Sequence, residues 1–248
     1  MIIATANRLS QVSEYYLSRK LAEIRKLSEQ GREIMNLGIG NPDLPPSSET
    51  IQKLCVEVGE KNNHGYQPYR GILELREAMS DWYANTYRVS LNPMTEVLPL
   101  MGSKEGIFHI SMAFLNPGDK VLVPDPGYPT YEAAAQLVGA VPVYYDLKEE
   151  NNWLPNPAAL EKMDFSKIKM MWINYPHMPT GASATLSDFK GLLRFCQQND
   201  ILLCHDNPYS LITNGESAKS IFPGTGSKRK LSGIKFFEQI TQHGGLAC

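Results

Sequence analysis

Two apolar runs, each broken at once by a polar loop, constrain this chain more than any other feature. Lys169-Met-Met-Trp-Ile173 runs into Asn174-Tyr-Pro-His-Met-Pro-Thr-Gly181, and Ile201-Leu-Leu-Cys204 runs into His205-Asp-Asn-Pro-Tyr209. Short continuous apolar runs bounded by Pro, Gly and Asn read as strands buried on both faces. The stretch between them, from Thr185 to Gln198, reads as a helix. Strands separated by a helix are joined by a crossover and lie parallel. In such a sheet the loops just past the carboxyl ends of the strands form the edge where ligands bind.

The same alternation runs through the middle of the chain. Val97 to Met101 reads as a strand before a helix from Lys104 to Leu115, and Lys120 to Val123 as a strand before a helix from Tyr128 to Val138. Val141 to Tyr145 reads as a further strand, followed by a loop and the segment from Ala158 to Met163. Nearer the N-terminus, Leu9 to Gln30 carries helical periodicity, with Leu17, Leu21, Ile24 and Leu27 on one stripe and Gly31 closing it. A short strand, Ile34 to Leu37, leads into the loop Gly38-Ile-Gly-Asn-Pro-Asp43, and Ser48 to Lys61 and Gly71 to Tyr87 read as helices. The expected fold is α/β, a mainly parallel sheet flanked by helices.

Composition narrows the function classes. A net charge of -2 on 248 residues gives no electrostatic case for nucleic acid or an anionic membrane. No apolar run reaches the ~20 residues of a membrane-spanning helix, and the N-terminus lacks the basic start and apolar core of a secretory signal. The four cysteines, Cys55, Cys196, Cys204 and Cys248, have no metal-binding or redox-motif spacing. They read as reduced residues of a cytoplasmic protein, and no metal site is expected.

Four polar loops fall at expected strand ends: Gly102-Ser-Lys-Glu105, Pro124-Asp-Pro-Gly-Tyr-Pro129, Asn174 and Asp206. Together their chemistry suits a phosphorylated pyridine. Gly102, Ser103 and Lys104 open a helix, whose free N–H groups and dipole can hold a phosphate, although a glycine there is more often only a turn. Tyr128 can stack on a flat ring or simply pack. Asp206 at a buried strand end is costly unless paired. It can keep a pyridine nitrogen protonated, or it can cap a loop. Tyr209 can reach a phenolic oxygen or serve the core.

These motifs, over residues 8 to 222, resemble the fold-type I, class I/II aminotransferases, in the branch of aspartate, alanine and diaminopimelate aminotransferases. The resemblance implies pyridoxal phosphate as cofactor, an amino acid and a 2-oxo acid as substrates, and a homodimer that shares its sites. It implies a phosphate loop at Gly102, Ser103 and Lys104, a ring-stacking Tyr128, a pyridine-nitrogen partner in Asp206 and a phenolate partner in Tyr209. Asn174 belongs to the same cofactor motif. Gly40, in Asn36-Leu-Gly-Ile-Gly-Asn-Pro-Asp43, takes the place of the glycine beside the substrate carboxylate. Tyr66, in Gly65-Tyr-Gln-Pro-Tyr-Arg-Gly71, takes that of the tyrosine that reaches the partner subunit's phosphate. The implied organisation is an N-terminal segment with part of a small domain (1–60), an incomplete cofactor-binding large domain (61–222) and an aberrant, disordered tail (223–248).

Two departures stand out. Where the family has Asn-Pro-Thr-Gly, this chain has Met178-Pro179-Thr180-Gly181, and methionine has no N–H to donate. The family also needs a Schiff-base lysine after Asp206, in a Ser-x-Ser-Lys segment followed by Gly-x-Arg. Lys228, Lys230 and Lys235 lie in that region without the motif, so no catalytic lysine is assigned.

The tail has a specific explanation. Codons for Gly233 to Ala247, read one nucleotide later, can encode Glu-Leu-Asn-Ser-Leu-Ser-Lys-Ser-His-Asn-Met-Ala-Gly-Trp-Arg. That string resembles the missing segment, with the lysine codon spanning Gln239 and Ile240. The expectation is a shift of reading frame between Phe222 and Ser232, which the nucleotide sequence decides. The chain is then an aminotransferase fragment, inactive as written, with an unpaired sheet edge. The rival readings are a lysine-free binding module on the same fold and a nicotinamide-dependent dehydrogenase, though Gly102 opens no GxGxxG.

Overall fold

Successive side chains along the buried central strands join two different core clusters, one on each face of the sheet, and this is what stacks the molecule into three layers. The computed structural model describes residues 3–12, 16–38, 44–212, 219–222 and 236–239. On β3 (Ile168–Asn174), Met170 and Trp172 join a core cluster with Val121 and Val123 of β1 (Lys120–Asp125). Met171 and Ile173 point the other way, into a second cluster with Leu122. The same division places Leu202 and Cys204 of β4 (Leu202–Asp206) on the first face and Leu203 on the second. Apolar side chains on both faces leave the strands with no solvent side, as a doubly covered parallel sheet requires.

The helices supply the cover. On the first face lie α4 (Ser103–Phe114), through Ile107, and α5 (Thr130–Leu137), through Tyr131, Ala134 and Ala135. On the second lie α6 (Pro157–Leu160), through Leu160, and α7 (Leu186–Gln198), through Phe189, Leu192 and Cys196. The start of α7 is fixed by a capping box in which Thr185 accepts from the Asp188 N–H and the Asp188 carboxylate accepts from the Thr185 N–H. All strand pairs are parallel, in the order β2-β1-β3-β4-β5, where β2 is Val141–Asp146 and β5 is Phe236–Gln239. The expected parallel α/β sheet is present.

Three features differ from expectation. Residues 34–37 and 97–100 form no strand. A strand needs a neighbour to take its N–H and C=O groups, and the described sheet gives neither segment one. Pro99 also removes a ladder donor from the second. The tail expected to be disordered from residue 223 contains β5, whose backbone pairs with β4 from Leu203↔Phe236 to Asp206↔Gln239. The unpaired edge expected beyond β4 is therefore covered at those four positions, while the rest of 223–248 lies outside the described residues.

Toward the N-terminus, α1 (Tyr16–Glu29) and α2 (Ser48–Gly59) contain no buried residue, so their apolar stripes find little cover. In contrast, α3 (Leu73–Tyr87) docks firmly. Tyr83 and Tyr87 pack with Val89 and Phe222, and their hydroxyls meet those of Ser220 and Ser210. This clasp ties α3 to the segment that follows β4.

Candidate functional site

The carboxyl ends of β3 and β4 lie side by side, with Asn174 in register with Asp206. Asn174 locks them together. Its Nδ2 donates to the Asp206 carbonyl at 2.7 Å, and its Oδ1 accepts from the Met178 N–H at 2.8 Å. One side chain therefore fixes both the strand ends and the loop that leaves β3. Those bonds make Asn174 a scaffold for the site.

Asp206 is the chemical centre. It lies on the α4/α5 face of β4 and is 3% exposed. Its Oδ2 accepts from the Tyr131 hydroxyl at 2.9 Å, while its Oδ1 is buried with no hydrogen-bond partner among the described residues. Burial pushes its pKa up to about 6, and the Tyr131 hydrogen bond works against that rise. A buried carboxylate with one bare oxygen is an incomplete arrangement, and a cation or N–H donor at Oδ1 would complete it.

Tyr131 was not singled out by the sequence, because a tyrosine in the first turn of a helix reads as packing. Its ring stacks on Trp172 at 4.9 Å and 5°, and Tyr128 meets it edge-on at 5.6 Å. Tyr128 is thereby linked to Asp206 through Tyr131. The loop that carries Tyr128 turns at Gly127, where any Cβ would collide with the Pro124 carbonyl oxygen. Only glycine lets the chain turn this tightly after β1.

His205 points to the opposite face, packs on Phe189 at 5.0 Å and approaches the Tyr175 carbonyl through Nε2 at 3.0 Å. Burial holds its pKa down to about 3, so the ring is neutral. A carbonyl can only accept, so Nε2 carries the proton. His205 therefore braces the loop after β3, and of the two neighbours it is Asp206 that faces Tyr131.

The remaining expected residues fall into three groups. Gly102, at φ +100, caps α4 without a side-chain hydrogen bond, and open space surrounds its Cα. Ser103 and Lys104 form the first turn of α4, whose N-terminal N–H groups are the ones a phosphate would meet. Tyr209 lies half-buried in the turn after β4, and Tyr66 stands fully exposed in the loop before α3. Gly40 lies outside the described residues. Among the described residues, no cluster of three or more His, Cys, Asp or Glu could hold a metal ion, and no helix is long and apolar enough to cross a membrane.

Comparison with known proteins bears on the family and the fold. A family model described as aminotransferase class I and II matches residues 32–233. The LL-diaminopimelate aminotransferase of Dehalococcoides mccartyi (strain 195) is 44% identical over 221 residues, covering 89% of this chain and 56% of that protein. The LL-diaminopimelate aminotransferase of Moorella thermoacetica is 41% identical over 232 residues, covering 93% of this chain and 59% of that protein. Among solved structures, apo-BacF from Bacillus subtilis superposes with a TM-score of 0.84 at 33% identity, covering 90% of this chain and 57% of that one. Alanine aminotransferase from Pyrococcus furiosus gives 0.79 at 27% identity, covering 88% and 56%. The chain thus spans little more than half the length of the relatives it matches.

Proposed function

Since the chain belongs to the class I and II aminotransferases, we propose that its strand-end site binds pyridoxal phosphate without covalent attachment. The observation that carries this reading is the bare, buried Oδ1 of Asp206 at the carboxyl end of β4. When bound, the cofactor supplies an aldehyde to receive an amino group and a pyridine ring to withdraw electrons.

The chain's own residues do the rest. With the cofactor bound, ionised Asp206 would hold a proton on the ring nitrogen through Oδ1, and that positive charge would oppose the rise of the Asp206 pKa to about 6. The first turn of α4, from Gly102 through Ser103 and Lys104, receives the phosphate on backbone N–H groups. Tyr128 would cover the ring face and Tyr209 would donate toward its phenolic oxygen. Asn174 keeps the two strand ends in register, and Met178, with no N–H in its side chain, would leave that oxygen one donor short. Gly40 is assigned to the substrate carboxylate. The cofactor site belongs to residues 61–222, with 1–60 as a separate N-terminal segment and 223–248 as the aberrant tail.

The full activity we assign to the lineage is amino transfer between an amino acid and a 2-oxo acid, in a cytoplasmic homodimer. The free, buried thiols of Cys196 and Cys204 support a reducing compartment. The full exposure of Tyr66 supports its service to a neighbouring subunit's site. We assign no lysine of this chain to carry the proton, because Lys228, Lys230 and Lys235 lack the surrounding motif. The strand register bears on this point. The lysine codon of the shifted frame spans Gln239 and Ile240, and Gln239 pairs in register with Asp206. That pairing supports a shifted reading in which the lysine would fall near Asp206.

Titration with pyridoxal phosphate, followed by absorbance, tests the binding reading. Saturable, single-site binding without amino-transfer activity is expected. No saturation with pyridoxal phosphate, together with saturation by a nicotinamide dinucleotide, would overturn it.

A further inference from the structure

We infer that Tyr131 is the positioning residue of the site, holding Oδ2 of Asp206 so that Oδ1 alone is left for the ligand. The inference rests on the cofactor reading only for the identity of that ligand. The geometry is explicit. Tyr131 comes from α5, 75 residues away in sequence, and donates to Oδ2 at 2.9 Å. It is 1% exposed, and its ring is clamped against Trp172 at 4.9 Å and 5°, so the phenol cannot swing away without losing the stack.

The Asp206 carboxylate can turn about its side-chain torsions, and one fixed oxygen removes that freedom. The direction of the hydrogen bond is also settled. Burial first, and the nearby Asp206 carboxylate second, hold the Tyr131 phenol protonated far above the ordinary tyrosine range. Tyr131 is therefore a donor at every working pH, and a donor favours the charged form of its acceptor.

The groups around this pair are few. Tyr128 precedes α5 and lies edge-on to Tyr131, and Tyr145 of β2 is a further tyrosine near it. Asn174 and Trp172 come from β3, and Cys204 of β4 is buried. Burial keeps the Tyr145 phenol and the Cys204 thiol uncharged. No described cation shares the Asp206 carboxylate, which leaves Tyr131 as the group that opposes the cost of burying it.

The test follows the Asp206 carboxyl carbon by NMR titration of the unliganded chain. Tyr131→Phe, which keeps the stacked ring, is expected to raise the Asp206 midpoint by about one pH unit, a tenfold gain in proton affinity. Replacing Tyr131 with 3-fluorotyrosine, a stronger donor of nearly the same shape, is expected to lower it. Tyr145→Phe is the control. It removes an equally buried hydroxyl, bonded to the Trp172 carbonyl at 2.6 Å, and should leave the midpoint unchanged. A midpoint unmoved by both changes at position 131, or moved equally by Tyr145→Phe, would overturn the inference. Pyridoxal phosphate added afterwards separates the two readings. The expected titration shifts with no cofactor binding in any variant would sink the cofactor assignment and leave the role of Tyr131 standing.

Discussion

Replacing Asp206 with Asn should make the unliganded protein more stable at pH 7 and a poorer binder of pyridoxal phosphate. The stability gain has a definite origin. Asp206 titrates at about 6 when folded against an ordinary 3.8, so the folded state binds the extra proton between those values. Stability then falls as the pH rises through this window, and the full cost is present above it. Two pH units correspond to about 3 kcal/mol, which Asn, carrying no charge, does not incur. Urea midpoints at pH 7 check this.

The pH profile adds a second signature, because His205 runs the opposite way. Its folded value of about 3 lies below the ordinary 6.5, so its contribution is present above pH 6.5 and is lost as the pH falls toward 3. The two groups oppose each other between pH 4 and 6. Wild-type stability should be nearly level there, whereas Asp206→Asn should lose stability steadily on acidification. In binding, the loss of a charge-assisted hydrogen bond at the ring nitrogen costs about 1.5–3 kcal/mol, or about 10–100-fold in affinity. A variant more stable but weaker in binding is what a strained functional carboxylate gives. A carboxylate kept for the fold alone would give loss of stability.

The second large effect falls on Trp172. It is wholly buried at the centre of β3, stacked on Tyr131, with its carbonyl held by the Tyr145 hydroxyl. Trp172→Ala removes the largest buried side chain of the sheet and leaves a cavity between the strands and α5. Truncations of this kind cost about 3–5 kcal/mol. Small domains hold only about 5–15 kcal/mol in total. The urea midpoint by circular dichroism should drop sharply, and pyridoxal phosphate affinity should fall with it, because Tyr131 loses the surface that aims it at Asp206. Trp172→Phe keeps a ring against Tyr131 and should recover most of the affinity. Equal loss of affinity in both variants would argue against an aiming role for the stack.

These residues differ in how far the sequence reveals them. The strands around Met170–Ile173 and Leu202–Cys204 are legible because apolar side chains on both faces leave no alternative to a covered parallel sheet. Asp206 is legible because a carboxylate at the buried end of such a strand demands a partner. Tyr131 is not, since nothing local ties it to a carboxylate 75 residues away, and only α5 lying on that face of the sheet brings them together. The strand expected at 97–101 failed for a related reason. Pattern and propensity describe a segment, but a strand exists only where a neighbour completes its hydrogen bonds. β5 shows the converse. Phe236–Gln239 carries little pattern of its own, yet the open side of β4 gives it a place.

The proposed cofactor site lies at the ends of β3 and β4 and has no assigned covalent anchor. Incubating the chain with one equivalent of pyridoxal phosphate, splitting the sample, and then dialysing one half and reducing the other with borohydride before peptide mass mapping tests it most directly. The expected result is complete loss of cofactor absorbance on dialysis and no single lysine peptide carrying a stoichiometric label. Absorbance that survives dialysis, with one lysine labelled mole for mole, would contradict it.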